Sequence, residues 1–164
     1  MISQAIQDAM NEQIKNELYS AYLYLSMAAY CESINLKGFA HWMRVQHQEE
    51  TGHAMRFFDF INDRGGRVTL QAIPQPPTEF KSPLDIFEQT LEHERKVTAM
   101  INKIYDLAVK EGDYASQALL QWFVTEQVEE EKSATEILEK LRLAGDRGSA
   151  LLYLDHELGE REAE

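Results

Sequence analysis

Apolar residues recur at alternating spacings of four and three along four long stretches of the chain, the pattern of amphipathic helices with one buried face. The first stretch runs from about Gln4 to Ser33, with Ser3 placed to cap it and the turn NLKG after it. The second covers about Gly38 to Arg64 and stops at Gly65-Gly66, a helix-terminating pair. The third opens at Ser82-Pro83, an N-cap followed by proline in the first turn, and fades at Glu111-Gly112. The fourth spans about Tyr114 to Leu143 and ends at Gly145. A shorter amphipathic segment, SALLYLDHEL, follows, giving a final helix at about 147–160.

Connection lengths set the topology. Only a few residues separate the first and second helices, and likewise the third and fourth, so each pair is antiparallel. Between the pairs lies RVTLQAIPQPPTEFKS, whose three prolines bar a continuous helix and whose VTLQAI portion alternates like an extended piece. Roughly 18 residues at ~3.3 Å each can reach ~60 Å. A helix of about 27 residues is only ~40 Å long. The linker can therefore run the length of a bundle and leave the second and third helices parallel. The expectation is an all-α chain with one domain over residues 1–164: a four-helix bundle at about 4–143, one long crossover, and a short fifth C-terminal helix.

Each inward seam is broken by acid. The seams read Met10, Ile14, Glu17, Ala21, Tyr24, Ala28, Cys31; Phe39, Met43, Gln46, Glu50, His53, Phe57, Phe60; Leu84, Phe87, Leu91, Glu94, Thr98, Ile101, Tyr105; and Leu120, Phe123, Gln127, Glu130, Ala134, Ile137, Leu141. The breaks fall near the middle of every helix, so they meet at one level whichever way each helix runs. An unpaired carboxylate in an apolar interior costs several kcal/mol or takes up a proton. No seam lysine or arginine balances these, which leaves divalent metal, and carboxylates with one imidazole suit iron or manganese. Di-iron carboxylate bundles take a Glu from each of two helices and Glu-x-x-His from each of the other two. Glu50-Thr51-Gly52-His53 is one such pair, and Gln127-Val128-Glu129-Glu130 holds the place of the other with altered ends. A lone Glu-x-x-His is a weak signal, but four interruptions at matching depth are hard to obtain by accident. Glu126, Glu129, Glu130 and Glu131 are also crowded on the fourth helix, where acids three and four apart repel.

Composition narrows the class. At 164 residues the chain can bury a sizeable core, and its net charge of −12 offers no basic patch for nucleic acid. No stretch is apolar enough to cross a bilayer. The start MISQAIQDAMNEQ has no secretory character, and a single cysteine, Cys31, fits a reducing cytoplasm, so a cytoplasmic location is expected.

With these residues assembled, the chain resembles ferritins, and most closely the bacterial non-haem ferritins. The resemblance spans nearly the whole sequence through NEQIKNELYSAYLYLSMAAY, GFAHWM, QEETGHAM, INDRGGRV, the EHE of the third helix and WFVTEQVEEE. It implies a ferroxidase that oxidises Fe(II) to Fe(III) with dioxygen or peroxide, and self-assembly into a hollow homo-oligomeric shell of twenty-four subunits that stores a ferric mineral. It further implies one iron on Glu17, Glu50 and His53, and a second on Glu50, Glu94 and Glu130 with Gln127 close by. A third iron would use Glu49, Glu126 and Glu129, with Glu130 between sites. Haem is not expected: bacterioferritins carry a methionine directly after the bridging glutamate, where Thr51 stands, and a histidine where this chain has Glu130. Met55, a turn further on, is expected to pack.

Tyr24 lies one heptad from Glu17 and either serves a ligand, by hydrogen bond or electron donation, or is a plain core tyrosine. Trp122 precedes the site and Trp42 reads as core or interface. His41, His47, His93 and His156 read as packing or solvated residues, and Cys31 as an inert buried thiol. Leu151, Leu154 and Leu158 form a stripe that needs a surface outside the completed bundle. Two other classes compete. A rubrerythrin-like di-iron enzyme usually pairs the bundle with a four-cysteine module, which one cysteine cannot build, and a metal-free scaffold predicts apolar seams at mid-bundle.

Overall fold

The computed structural model describes residues 1–164 as five helices: α1 (Gln4–Ser33), α2 (Lys37–Asp63), α3 (Pro83–Glu111), α4 (Tyr114–Ala144) and α5 (Gly148–Leu158). Every boundary of the four long helices lies within one residue of its expected position, because the punctuating residues act as read. Ser3 accepts from the Ile6 N–H, Ser82 from the Asp85 N–H and Asp113 from the Ser116 N–H, each satisfying an otherwise orphaned first-turn donor. Gly112 ends α3 at φ 65°, a left-handed conformation that a side chain disfavours.

The core lies in two parts. One joins the C-terminal half of α1 (Leu23–Cys31), the start of α2 (Phe39–Met43), the start of α3 (Ile86–Leu91), the end of α4 (Ala134–Leu141), and Leu154 and Leu158 of α5. The other joins Ile6–Ile14 of α1, Ala54–Ile61 of α2, Val97–Ala108 of α3, and Leu120 and Phe123 of α4. The starts of α2 and α3 thus share one end of the bundle, which makes them parallel and α1 and α4 antiparallel to them. The linker spans the length between. Its VTLQAI portion joins no sheet. Instead Asn11 holds it to α1, accepting from the Thr69 N–H at 2.8 Å and donating to the Arg67 carbonyl at 2.9 Å.

Three expectations need correction. On α3 the strict seam drifts: Leu84, Thr98 and Tyr105 are only partly buried, whereas Ile86, Thr90, Val97, Ile104 and Ala108 turn inward. A straight helix rotates about 20° per heptad away from a 3.5-residue repeat, and over so long a helix that moves the buried face round. The same drift replaces Phe60 by Ile61 on α2. The α5 stripe needs no outside surface, because Leu154 and Leu158 bury against the subunit's own bundle and leave Leu152 and Tyr153 exposed. Gly38 makes that seating possible: a Cβ there would stand 1.6 Å from the Asp155 carbonyl oxygen. Met55, finally, stands exposed on α2 rather than packed.

Candidate metal centre

Between the two apolar clusters lies a polar layer contributed by all four long helices. Glu17, Glu50 and Glu94 are each 1 % exposed, His53 4 % and Glu130 6 %. Their ligand atoms fall into three groups whose members lie within 4.8 Å of one another: Glu17, Glu50 and His53; Glu50, Glu94 and Glu130; and His53, Glu126 and Glu130. Glu50 belongs to the first two. Among these carboxylates the only ion-pair partner is His53, whose Nδ1 lies 3.2 Å from Glu50 Oε2 and 3.9 Å from Glu17 Oε2, and whose Nε2 lies 3.7 Å from Glu126 Oε1.

The layer is partly satisfied by amides and a phenol. Gln13 Nε2 donates to Glu17 Oε1 at 2.9 Å. Gln46 Nε2 donates to Glu130 Oε2 at 2.6 Å and to Glu50 Oε1 at 3.3 Å. Gln127 Nε2 donates to Glu94 Oε2 at 3.1 Å and to the Glu94 carbonyl at 3.2 Å. Tyr24 Oη donates to Glu94 Oε1, so the tyrosine is joined to the acids rather than lying idle in the core. After all this, Glu17 Oε2 is left buried with no hydrogen-bond partner. A buried carboxylate oxygen without a donor is costly. Here it faces the imidazole, 3.9 Å from His53 Nδ1, among the other acids.

Electrostatics say the same. Burial first, then the charges of Glu94, Glu17 and Glu130, push Glu50 well above the ordinary carboxylate range. Burial and the Glu94 charge raise Glu130 to about 8, against the donor from Gln46. Burial also raises Glu94, although Tyr24 and Gln127 oppose it. For His53 burial works against protonation, but Glu126, Glu17 and Glu130 outweigh it and the ring's pKa rises. The layer holds more negative charge than it can keep without protons or metal. Hard oxygens with one imidazole fit iron.

The outer acids behave differently. Glu126 faces His53 Nε2, while Glu49 Oε2 accepts from Arg161 Nη2 at 2.9 Å. Glu129 is exposed and joins none of the three groups. Glu131 turns to α3, accepting from Thr98 Oγ1 at 2.7 Å with Arg95 Nε 3.7 Å away. The crowded acids of α4 are therefore not one site. Successive helical positions point 100° apart, so Glu126 and Glu130 turn to His53, Glu131 turns to α3 and Glu129 stays exposed. A cavity of about 280 Å³ opens beside His53, walled by Gly52, Arg56, Trp122, Glu126, Ala163 and Glu164 among others. The Trp122 ring stands edge-on to His53 with centroids 5.4 Å apart, and the Arg56 guanidinium lies 3.6 Å from its centroid.

Sequence reasoning did not single out Gln13, Gln46 or Arg161. The first two carried a signal: each lies four residues before an inward glutamate, the spacing that lets an amide reach a carboxylate on the same face. Arg161 carried none, sitting in a tail that reads as acidic. The remaining histidines pack as expected: His93 Nε2 pairs with Ser20 Oγ at 2.7 Å and burial lowers its pKa to about 4, and His47 Nδ1 meets the Ala21 carbonyl at 2.8 Å.

Comparison with known proteins bears on the family and the fold. Residues 7–144 match the ferritin-like domain family. The chain is 46% identical over 161 residues to a bacterial non-heme ferritin of Bacteroides fragilis, covering 98% of this chain and 100% of that one. It is 40% identical to the bacterial non-heme ferritin of Staphylococcus saprophyticus, over 98% of this chain and 96% of the other. Among solved structures, an open pore ferritin from the hyperthermophilic archaeon Archaeoglobus fulgidus superposes with a TM-score of 0.98 at 56% identity, over 99% of this chain and 100% of that chain. Taken with the helix order and the carboxylate layer, these likenesses show that the chain belongs to the ferritin family.

Proposed function

We propose that this chain is an iron-storage protein with ferroxidase activity. Two Fe(II) ions enter as substrate, one held by Glu17, Glu50 and His53, the other by Glu50, Glu94 and Glu130, with Gln127 beside it. The reading is carried by one observation: acids from all four helices converge in a buried layer that holds no lysine or arginine and leaves Glu17 Oε2 without a donor. Two Fe(II) ions give up one electron each, which matches the two-electron reduction of dioxygen to peroxide, or of peroxide to water. The bridging Glu50 keeps both ions within reach of one oxidant. Tyr24 and Gln127 hold Glu94, and Gln46 holds Glu130, so the carboxylates are oriented before iron arrives. Haem has no part in this scheme.

The ferric product is stored as mineral inside a hollow homo-oligomeric shell of twenty-four subunits, in the cytoplasm. Family membership supports this, and the net charge of −12 favours attraction of cations. No helix is long and apolar enough to cross a membrane. Two measurements test the proposal together. Anaerobic Fe(II) titration should saturate at two ions per subunit before any mineral forms. Size-exclusion chromatography after aerobic loading should then give a shell-sized, brown, iron-rich peak; a dimer-sized species with only two irons per chain would refute storage.

A further inference from the structure

The segment after α5 turns back along α2 and lays Arg161 across three successive turns of that helix. Its guanidinium sits 4.2 Å from the centroid of the Trp42 ring. Nη1 donates to the Trp42 carbonyl at 3.0 Å, and Nη2 donates to Gln46 Oε1 and to Glu49 Oε2, both at 2.9 Å. His41 Nε2 donates to the Arg161 carbonyl at 2.7 Å, fixing the backbone at the same point. Trp42, Gln46 and Glu49 lie four and three apart, one ridge of α2, so a planar fork can engage all three at once. The pair is mostly shielded, with 19% of the Arg161 side chain and 15% of the Glu49 side chain accessible. Ala163 and Glu164 continue the same segment into the wall of the cavity beside His53.

This arrangement does not suit a third iron. A glutamate already holding a guanidinium would have to serve a second cation beside the first, and the two cations repel strongly in a shielded setting. We infer that Arg161 is a tethered cation in place of a third metal ion, so that Glu49 and Glu126, which line one cavity, take an ion only when the segment 159–164 lifts from α2. The same guanidinium fixes the orientation of the Gln46 amide. By donating to Gln46 Oε1 it leaves Gln46 Nε2 turned to Glu130 and Glu50, so the state of the segment reaches the inner carboxylates through one amide. The inference rests on the two-iron reading above but is read from a different ion.

Zn(II), which is redox-silent, is the probe, titrated calorimetrically into the full-length assembled protein with Trp122→Phe so that Trp42 is the only indole. With Arg161 present, two ions per subunit should bind tightly. A third should bind more weakly by roughly 10-fold or more, the scale on which outer partners of metal sites act, and should shift Trp42 emission as the guanidinium leaves the ring. Arg161→Ala should take up three ions of similar affinity with no further emission change, and Arg161→Gln provides the same neutralisation with less loss of packing. A third ion that binds equally well with and without Arg161, or Trp42 emission that is indifferent to it, would overturn the inference. Loss of the first two ions would instead count against the two-iron reading.

Discussion

Glu49 and Glu50 are neighbours in the chain and both are withdrawn from solvent, yet their surroundings are opposite. Glu50 points into the bundle among Glu17, Glu94 and Glu130, where its ion-pair partner is His53. Glu49 points to the mouth, where burial raises its pKa but the Arg161 guanidinium pulls it down. Burial is common to both, so burial alone does not mark a metal ligand. What separates them is whether the fold itself supplies a cation. At Glu49 it does; at Glu50 it leaves a deficit that only protons or metal can fill.

That contrast can be broken experimentally, most severely at Glu50. Glu50→Ala removes the residue shared by both inner groups, so the initial rate of Fe(II) oxidation in stopped flow should fall by more than the roughly 10–100-fold typical of an outer partner. A variant that keeps the full rate would end the bridging assignment. The next effect is on stability. Glu130 titrates near 8, and Glu50 and Glu94 are likewise raised above the ordinary 4.5. The folded state therefore binds these protons more tightly than the unfolded chain does. The associated stability is complete below about pH 4.5 and is lost as pH rises through about 8. Metal-free protein should show a Tm that declines across this window, two Zn(II) per subunit should flatten the decline, and Glu50→Gln should make it shallower. A metal-free Tm that rises from pH 5 to pH 8 would contradict the charge deficit.

Tyr24→Phe is a gentler probe. It removes the phenol that donates to Glu94 while sparing the ring, and should cost about 1–3 kcal/mol of stability in urea unfolding at pH 9, where Glu94 is driven to ionise. The same variant should lose less as the pH is lowered, because burial raises the Glu94 pKa and protonation weakens its need for that donor. The smallest effect is expected of Glu129→Ala. It should leave the first oxidation rate and two-ion binding unchanged in the parent protein. In the Arg161→Ala background the third ion should survive it, since Glu129 is exposed and joins none of the ligand groups; loss of that ion would add Glu129 to the outer set.

Much of this was legible because local signals and global packing agree. Ser3, Ser82-Pro83, Gly112 and the inward phase of Glu17, Glu50, Glu94 and Glu130 are set by one helix at a time, and helix periodicity exposes them directly. The course of α5 and the tail was not legible, because it depends on contacts between distant elements. Leu154 and Leu158 could have faced a second subunit, but Gly38 opens a place for them on their own bundle. Arg161 sits among acids in the sequence, and nothing local says that it will reach Trp42 and Glu49. The crowded glutamates of α4 misled in the other direction: adjacency suggested one cluster, whereas rotation about the helix axis sends Glu126 and Glu130 toward His53, Glu131 to α3 and Glu129 to solvent.

The division of the apolar interior into two clusters has a mechanical consequence. Before cargo arrives, the subunit resembles two short barrels of hydrocarbon coupled across a repelling waist. On the two-iron proposal, ions seated at that waist would join acids from all four helices and tie the two clusters together. Amide protons flanking the waist on α1 to α4 should therefore exchange as two cooperative blocks without divalent metal and as a single block with it, making rigidity of the subunit a gauge of its loading.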